Sequence, residues 1–329
     1  MKRKKSTWSD SIILLGLLLI LASSCDKEDN IMTTPIIKAA EIFSISSNAV
    51  TIRSKLVGEG SLELTTQGIC WSSSPSPTTD NNLQTGDLKD STIFCRITEL
   101  TPSTKYYARI YATNNTGTAY SNEISFTTNN AITDIDGNLY NTVSIGTQVW
   151  MVENLKTTRY DDGMAIPLIS DNAAWANLST AAYCWYDNSI ANRNIYGALY
   201  NWPSVSTGKL CPKGWHVPTD TEWTTLTDYL GGEGIAGELL KETGSSWDSP
   251  NYVANNYSGF SALPGGGASS GTPTFARIGF SGIWWTSTIN DYDMNIYRQI
   301  FLNNKLILRN GFMTRGNALN GLSIRCIKD

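Results

Sequence analysis

The chain has 329 residues, with 25 Lys and Arg against 29 Asp and Glu and a formal net charge of −4. This acidic balance excludes nucleic acid as the expected partner, because counterion release from a phosphate backbone needs clustered lysine and arginine. Charged residues make up only 16% of the chain, while short polar and aromatic residues are abundant, as is typical of extracellular recognition surfaces. The length exceeds the usual size of a single core, so we expect more than one domain.

The first 24 residues have the pattern of a signal peptide. A basic start, Lys2 to Lys5, precedes an apolar run from Ile12 to Ala22. The run has eleven residues, whereas a helix that crosses the hydrocarbon core needs roughly 20. Residues 1–24 are therefore predicted to be removed, which leaves 21 basic and 28 acidic residues and a mature charge of 21 − 28 = −7.

The end of this segment, Ala22-Ser23-Ser24-Cys25, resembles the lipobox of bacterial lipoproteins. The resemblance implies lipidation of Cys25 and a tether over residues 25–32. The next four residues, 26–29, are similar to the acidic signal that sends lipoproteins of the Bacteroidetes to the cell surface. We therefore expect a protein anchored to the outer membrane by its N-terminal lipid and facing the cell exterior.

Residues 33–128 show short alternating segments separated by turn clusters, which indicates an all-β domain. In the segment Tyr106–Ala112, alternate residues point to opposite faces, as in a half-buried strand. With the flanking turns, this end resembles a fibronectin type III sandwich. Cys70 and Cys95 are a possible disulfide between neighbouring strands, although sequence does not show whether their Cβ atoms meet.

Residues 129–133 are predicted to be a linker, and residues 134–329 a second domain that mixes helical and strand patterns. Gly146-Thr147 is a two-residue loop that predicts a β-hairpin between residues 143 and 151. Thr219 and Glu222 form a capping box before an apolar stripe that stops at Gly231, so a helix begins at Thr219. A second helix is predicted over Ile235–Glu242. Three strands follow, at residues 297–302, 305–308 and 322–327.

Several long motifs recur in order through the second domain and resemble the Fibrobacter succinogenes major paralogous domain, called FISUMP. They are Asp136–Tyr140, Gln148–Met151 with Glu153–Leu155, Tyr196–Trp202, Cys211–Pro218 with Glu222-Trp223, Gly259-Phe260, Trp284-Trp285 and Ser323–Cys326. More distantly, Trp215–Thr219 with Arg325-Cys326 resembles the C-type lectin fold and the formylglycine-generating-enzyme fold. The resemblance implies an α+β domain with two helices around an irregular antiparallel sheet. It implies no settled activity.

Five cysteines remain once Cys25 carries lipid, so at least one thiol is unpaired. The period of two from Leu322 to Cys326 places Cys326 on the predicted core side. Cys211 is the favoured partner, because closing a loop of over one hundred residues restrains the unfolded chain by about 4–5 kcal/mol. A Cys184–Cys211 bridge is the rival pairing, and Cys184 is otherwise the odd thiol.

His216 is the single histidine, so a multi-histidine metal site is ruled out. The one catalytic interpretation that remains makes His216 a general base oriented by Glu222 or Asp220. A structural histidine beside the helix is the favoured interpretation, because no nucleophile elbow accompanies it. The alternation of Asp134, Asp136 and Asn138 resembles the start of a calcium loop but lacks its glycine and glutamate positions. No metal or cofactor is expected.

The candidate ligand-binding residues are Trp284 and Trp285 with Asp291 and Asp293. Adjacent tryptophans on a strand face opposite ways, so one can fill the core while the other stacks on a sugar ring. Acidic and amide groups nearby would hydrogen-bond to hydroxyls. Burial of both tryptophans in the core is the favoured interpretation, because buried tryptophans with a bonded indole N–H are commoner than exposed platforms.

The sequence thus predicts a non-enzymatic adhesion lipoprotein whose distal, lectin-like domain binds a glycan or protein ligand. Two alternatives remain. One is an enzyme that acts on extracellular polymers with carboxylates such as Glu153, Asp161 or Glu222, two of which would face each other across a cleft at roughly 5–10 Å. The other is a structural subunit of a surface assembly, with the double tryptophan packed between subunits.

Overall fold

A computed structural model describes residues 32–251, 253–269, 274–313 and 320–329. The predicted signal peptide and the lipidated Cys25 lie outside the described residues. Within these ranges, no helix is long and apolar enough to cross a membrane. The described chain consists mainly of antiparallel sheet with a few helices.

The N-terminal region contains ten strands in two sheets. They are β1 Ile36–Ile37, β2 Glu41–Ser46, β3 Val50–Gly58, β4 Leu64–Ser72, β5 Asn82–Thr85, β6 Asp87–Lys89, β7 Thr92–Ile97, β8 Lys105–Asn114, β9 Gly117–Tyr120 and β10 Ile124–Thr127. One sheet runs β6-β7-β3-β2, with β1 on β3, and the other runs β10-β8-β4-β5, with β9 on β8. Alternating apolar residues such as Ile52, Ile69 and Ile110 form the core between the sheets. The predicted strand Tyr106–Ala112 lies within β8.

The C-terminal region contains thirteen further strands and five helices. The strands are β11 Ile132–Thr133, β12 Leu139–Tyr140, β13 Thr142–Ile145, β14 Gln148–Met151, β15 Tyr183–Cys184, β16 Leu199–Tyr200, β17 Trp215–His216, β18 Gly265–Ala268, β19 Phe275–Ile278, β20 Ser281–Ile289, β21 Met294–Phe301, β22 Ile307–Met313 and β23 Ile327–Lys328. The helices are α1 Asn172–Ala176, α2 Arg193–Tyr196, α3 Trp202–Val205, α4 Asp220–Tyr229 and α5 Glu233–Leu240. Strands β20, β21 and β22 form a separate antiparallel sheet.

Local sequence signals set the main elements of this region. The predicted hairpin is β13–β14, and its turn residue Gly146 has a φ of 59°, a conformation that favours glycine. Helix α4 begins at Asp220 behind the Thr219 cap, and the reciprocal bonds of the capping box with Glu222 are both present. Helix α5 begins two residues before its predicted start.

The segment Leu322–Ile327 is not the strand that its alternating pattern predicts. The structure forms only β23 at its end, and the preceding residues bond to several different elements. Leu322 exchanges backbone hydrogen bonds with Tyr200, whereas the carbonyl of Ile324 accepts from Leu155 and that of Cys326 from Met151. All six side chains are buried. The segment therefore passes through the core between several elements, and its backbone bonds to each of them in turn.

The two regions share one sheet. Strand β13 pairs with β2, so a single sheet runs β17-β23-β14-β13-β2-β3-β7-β6 across the predicted linker. The side chain of Phe43 on β2 is buried in the core of the C-terminal region, where its ring stacks on Tyr229 with centroids 5.8 Å apart. Phe94 stacks on Tyr257 at 4.7 Å, and the Tyr257 hydroxyl donates to Asp87 at 2.5 Å. The sandwich and the C-terminal region are thus packed together over apolar and polar contacts.

We expect Phe43→Ala to lower the free energy of unfolding by about 3–5 kcal/mol, because it empties a large buried volume. Both regions should lose stability together in urea denaturation followed by tryptophan fluorescence and far-UV circular dichroism. Ile36→Ala, at an exposed position, is the matched control and should change little. Unchanged tryptophan fluorescence in Phe43→Ala, with a shift only in the circular dichroism transition, would contradict the shared core.

Candidate functional site

The predicted binding residues do not form one surface. Trp284 and Trp285 are both fully buried, and their indole N–H groups donate to Asn154 Oδ1 at 2.9 Å and to the Tyr200 carbonyl at 2.8 Å. Asp291 and Asp293 lie exposed in the turn between β20 and β21. Both tryptophans thus lie in the core, as the favoured interpretation has it: Trp284 packs against Trp223 of α4, and Trp285 packs against Trp202 of α3.

Asn154 joins four separate segments of this core. Its Oδ1 accepts from Trp284 Nε1 and from Arg325 Nη2, both at 2.9 Å. Its Nδ2 donates to the Tyr196 carbonyl at 2.8 Å and to Ser323 Oγ at 3.3 Å. Every hydrogen-bonding position of this buried carboxamide is occupied.

Arg325 is buried, and within the described residues no carboxylate is paired with it. Its Nη1 donates to the Phe260 carbonyl, and its guanidinium lies over the Phe260 ring at 4.2 Å from the centroid. Burial lowers the pKa of Arg325 to about 9, so the side chain stays charged at neutral pH. Carbonyl and carboxamide oxygens and an aromatic face thus compensate this charge.

The accessible aromatic residues lie on the sheet face that Trp285 occupies. Tyr297, the cross-strand partner of Trp285, and Phe312 on β22 are half-buried, and their rings stack with centroids 4.5 Å apart and planes 20° apart. Trp285 packs edge-on against both rings, at 6.2 and 5.8 Å. The buried tryptophan therefore positions a half-buried aromatic pair.

This pair opens onto a cleft of about 270 Å³, which we call the aromatic cleft. Its principal lining residues are Ala268, Arg277, Ile283, Tyr297, Gln299 and Phe312. Gln299 is 4% exposed and donates to Ser281 Oγ at 2.9 Å, which fixes its carboxamide at the base of the cleft. An aromatic wall with a fixed amide and a guanidinium is suited to binding a polyhydroxylated ring.

One sequence signal for this site lies on β21. Asn295, Tyr297 and Gln299 fall on one face of the strand, opposite Ile296, Arg298 and Ile300. That period of two marks one polar and aromatic face of a strand. Phe312 had no comparable signal, because it lies beyond the predicted strand at 305–308.

Two other clefts are less suited to a ligand. One, of about 330 Å³, is lined by Asp134, Arg159, Asp161 and Lys213 among others, but the carboxylate of Asp134 already accepts four hydrogen bonds within its own turn. The other, of about 310 Å³, lies between the two regions. Its rim cation Arg53 is paired with Glu41 at 2.7 Å.

The cysteines pair in the favoured way. Cys211 and Cys326 form a disulfide with Cα atoms 6.0 Å apart and a sequence separation of 115, while Cys184 is a buried free thiol. The possible Cys70–Cys95 bridge is not formed. Cys95 lies in the sandwich core, whereas Cys70 alternates with the core residue Ile69 and points away, its Sγ 3.4 Å from the Arg109 carbonyl.

His216 lies between two carboxylates at the surface. Its Nε2 is 2.9 Å from Glu222 Oε1 and its Nδ1 is 2.7 Å from Asp329 Oδ1. Asp220, the other predicted partner, instead pairs with Arg298 at 2.7 Å. Partial burial favours the neutral imidazole, but the hydrogen bonds to Asp329 and Glu222 outweigh it and raise the pKa of His216.

The carboxylates of the enzymatic alternative have separate partners. Glu153 accepts from Asn141 N and Nδ2, both at 2.8 Å, while Glu222 caps α4 and contacts His216. Asp161 lines the 330 Å³ cleft. Among the described residues, no three acidic, histidine or cysteine side chains are grouped to hold a metal ion.

We expect Asn154→Ala to lower the free energy of unfolding by about 3–5 kcal/mol, because it removes the acceptor of Trp284 Nε1 and one of the acceptors of the charged Arg325. Urea denaturation measures the change. Asn303→Ala, at an exposed position, should change stability by under about 0.5 kcal/mol. A loss below about 1 kcal/mol in Asn154→Ala would exclude Asn154 as an essential link.

Charged His216 should stabilise the fold at low pH. Since its folded pKa is raised, the contribution is complete below the unfolded value of about 6.5 and is lost as pH rises through the folded value. The side chain is 36% exposed, so the effect should stay under about 1 kcal/mol. The difference in unfolding free energy between the wild type and His216→Gln, measured from pH 6 to 9, should shrink with rising pH. A difference independent of pH would count against it.

Comparisons with known proteins found one family model and a number of solved structures. Residues 143–328, more than half of the chain, match the Fibrobacter succinogenes major domain. Fibronectin type III structures are among the solved chains found. A crystal structure of chicken CNTN1 FN1–FN3 domains is 21% identical, with a TM-score of 0.22, over 31% of this chain and 34% of that one. A solution structure of a fibronectin type III domain from human KIAA0970 protein is 21% identical, with a TM-score of 0.21, over 31% of this chain and 79% of that one.

The match thus spans about a third of the first structure's length. No curated protein matches the chain. The family match carries the assignment, since it extends from β13 through the disulfide to β23 and includes the aromatic cleft. The chain belongs to the Fibrobacter succinogenes major domain family.

Proposed function

We propose that this chain is a non-enzymatic, lipid-anchored binding or adhesion protein of the cell surface that recognises glycans through the aromatic cleft. The family match supports a surface or adhesion-type protein. One observation carries the ligand class: the Tyr297–Phe312 stack, positioned by Trp285, forms an accessible wall above the fixed amide of Gln299. Sugar rings bind to such walls through their apolar faces and use amides for their hydroxyls.

The proposed architecture is C-type lectin-like for the C-terminal region. Two helices, α4 and α5, beside an antiparallel sheet and a disulfide to the last strand support this proposal. Calcium-dependent sugar binding is not part of it, because the carboxylate of Asp134 is engaged by its own turn. Binding would depend on stacking and direct hydrogen bonds.

The proposed anchor is a lipid on Cys25, in the outer membrane and facing outward. The pairing of β2 with β13 supports an arrangement in which the sandwich and the lectin-like region form one head on a short tether. A head of this kind holds the aromatic cleft in a fixed orientation relative to its base.

Binding should depend on the aromatic pair. On a glycan array, the chain from residue 26 onward, which contains every described residue, should bind at least one glycan. Tyr297→Leu and Phe312→Leu should each weaken that binding about tenfold, the equivalent of about 1.4 kcal/mol of stacking. Tyr292→Leu, at an exposed tyrosine in the β20–β21 turn, is the matched control and should bind normally.

Two outcomes would count against the proposal. Undiminished binding by both leucine variants would remove the aromatic cleft as the site. Binding to protein extracts but to no glycan would replace the ligand class with a protein. Thermal unfolding of each variant checks that a loss of binding is not a loss of fold.

The anchor has its own test. In cells that express the whole chain, Cys25→Ala should move the protein from the membrane fraction to the soluble fraction, because no thiol remains to receive lipid. Cys184→Ala, at a buried free thiol, should leave fractionation unchanged. A Cys25→Ala chain that stays with the membrane would overturn lipid anchoring.

A further inference from the structure

The aromatic cleft carries a positive charge on an acidic protein. Among the described residues that line it, Arg277 is the one ionised side chain, and the others are apolar, aromatic, amide or small. The chain as a whole has a formal net charge of −4. A site with this local charge selects against cationic ligands and favours anionic ones.

The backbone holds Arg277 in an unusual conformation. Its φ is 72°, in the region that non-glycine residues adopt at an energetic penalty, and it stands in β19. Its carbonyl accepts from Phe280 N at 3.1 Å, which closes a tight turn around Gly279. Strain of this kind persists where the surrounding structure imposes it and is concentrated at functional sites.

The guanidinium of Arg277 is available to a ligand. The side chain is exposed, and within the described part of the chain no carboxylate lies within 4.0 Å of it. It lies over the Phe301 ring, 5.8 Å from the centroid. Arg277 and Tyr297 both line the aromatic cleft, so the guanidinium belongs to the same cleft as the aromatic wall.

We infer that the aromatic cleft selects an acidic saccharide, with the sugar ring stacked on Tyr297 and Phe312 and its carboxylate paired with Arg277. This inference rests on the proposed glycan-binding function and adds the charge class of the ligand. Guanidinium groups bind carboxylates through two parallel hydrogen bonds, which fix orientation as well as charge. Gln299 lines the same cleft, and its carboxamide is held by Ser281 Oγ at 2.9 Å and by Asn310 Nδ2 at 3.5 Å.

Paired ligands that differ in charge test this inference. The first pair is tetragalacturonic acid and its methyl ester, and the second is sialyllactose and lactose. Titration calorimetry with the chain from residue 26 onward, at low ionic strength, should give at least tenfold tighter binding for the acidic member of one or both pairs. Added salt should narrow the difference.

Variants then locate the charge recognition. Arg277→Asn, a substitution that tolerates positive φ, should remove the preference for the acidic member, whereas Arg277→Lys should retain part of it. Tyr297→Leu should weaken both members of a pair by a similar factor. Lys213→Asn, at an exposed cation in the separate 330 Å³ cleft, is the matched control and should leave the preference intact.

The outcomes distinguish the preference for acidic saccharides from glycan binding in general. Equal, Tyr297-dependent binding of acidic and neutral members would overturn the acidic class and leave glycan binding in the aromatic cleft standing. A preference that survives in Arg277→Asn, or that Lys213→Asn removes, would overturn the role of Arg277. No binding to either pair would overturn the acidic class, and a blank glycan array would overturn the proposed function itself.

Discussion

The buried carboxamide of Asn154 is the interaction on which the C-terminal core depends. It joins the end of the β13–β14 hairpin to Trp284, to the backbone at Tyr196 and to the segment that contains Arg325. A buried guanidinium without a carboxylate is stable only where fixed dipoles and aromatic faces replace its water shell. The Asn154 carboxamide both donates and accepts hydrogen bonds, so its position depends on all of its partners at once.

This constraint explains why the double tryptophan is buried and where the accessible aromatics lie. Bonding to Asn154 commits Trp284 to one face of β20, and the alternation of the strand then directs Trp285 to the other. Trp285 in turn bonds to the Tyr200 carbonyl and packs against Trp202, which fills that side of the core. Tyr297 and Phe312 are the next aromatic layer outward, and they meet solvent at the aromatic cleft.

The sheet shared by the two regions is the second feature that fixes the position of the β13–β14 hairpin. The β13–β14 hairpin, which holds Asn154 at its end, is paired on its other edge with β2 of the sandwich. An exposed strand edge invites pairing with other chains, and here the sandwich covers it. Phe43 enters the C-terminal core from β2, so the position of the hairpin depends on both regions. The aromatic cleft therefore belongs to a head in which the sandwich and the C-terminal region are packed together.

Local chemistry in the sequence determined the elements whose signals are short-range: the β13–β14 turn at Gly146, the Thr219–Glu222 capping box, the alternation in β8, and the order of motifs that marks the family. The disulfide to Cys326 followed from alternation combined with loop closure. Only the tertiary structure decided which aromatic residues reach solvent, because indole N–H groups find acceptors far away in sequence, as Trp284 does 130 residues from Asn154. It also decided that Cys70 faces away from Cys95, and that β2 and β13 pair, since strand pairing across a predicted boundary leaves no local pattern. Which aromatic residues are accessible therefore depends on their neighbours in the folded chain as well as on their identity.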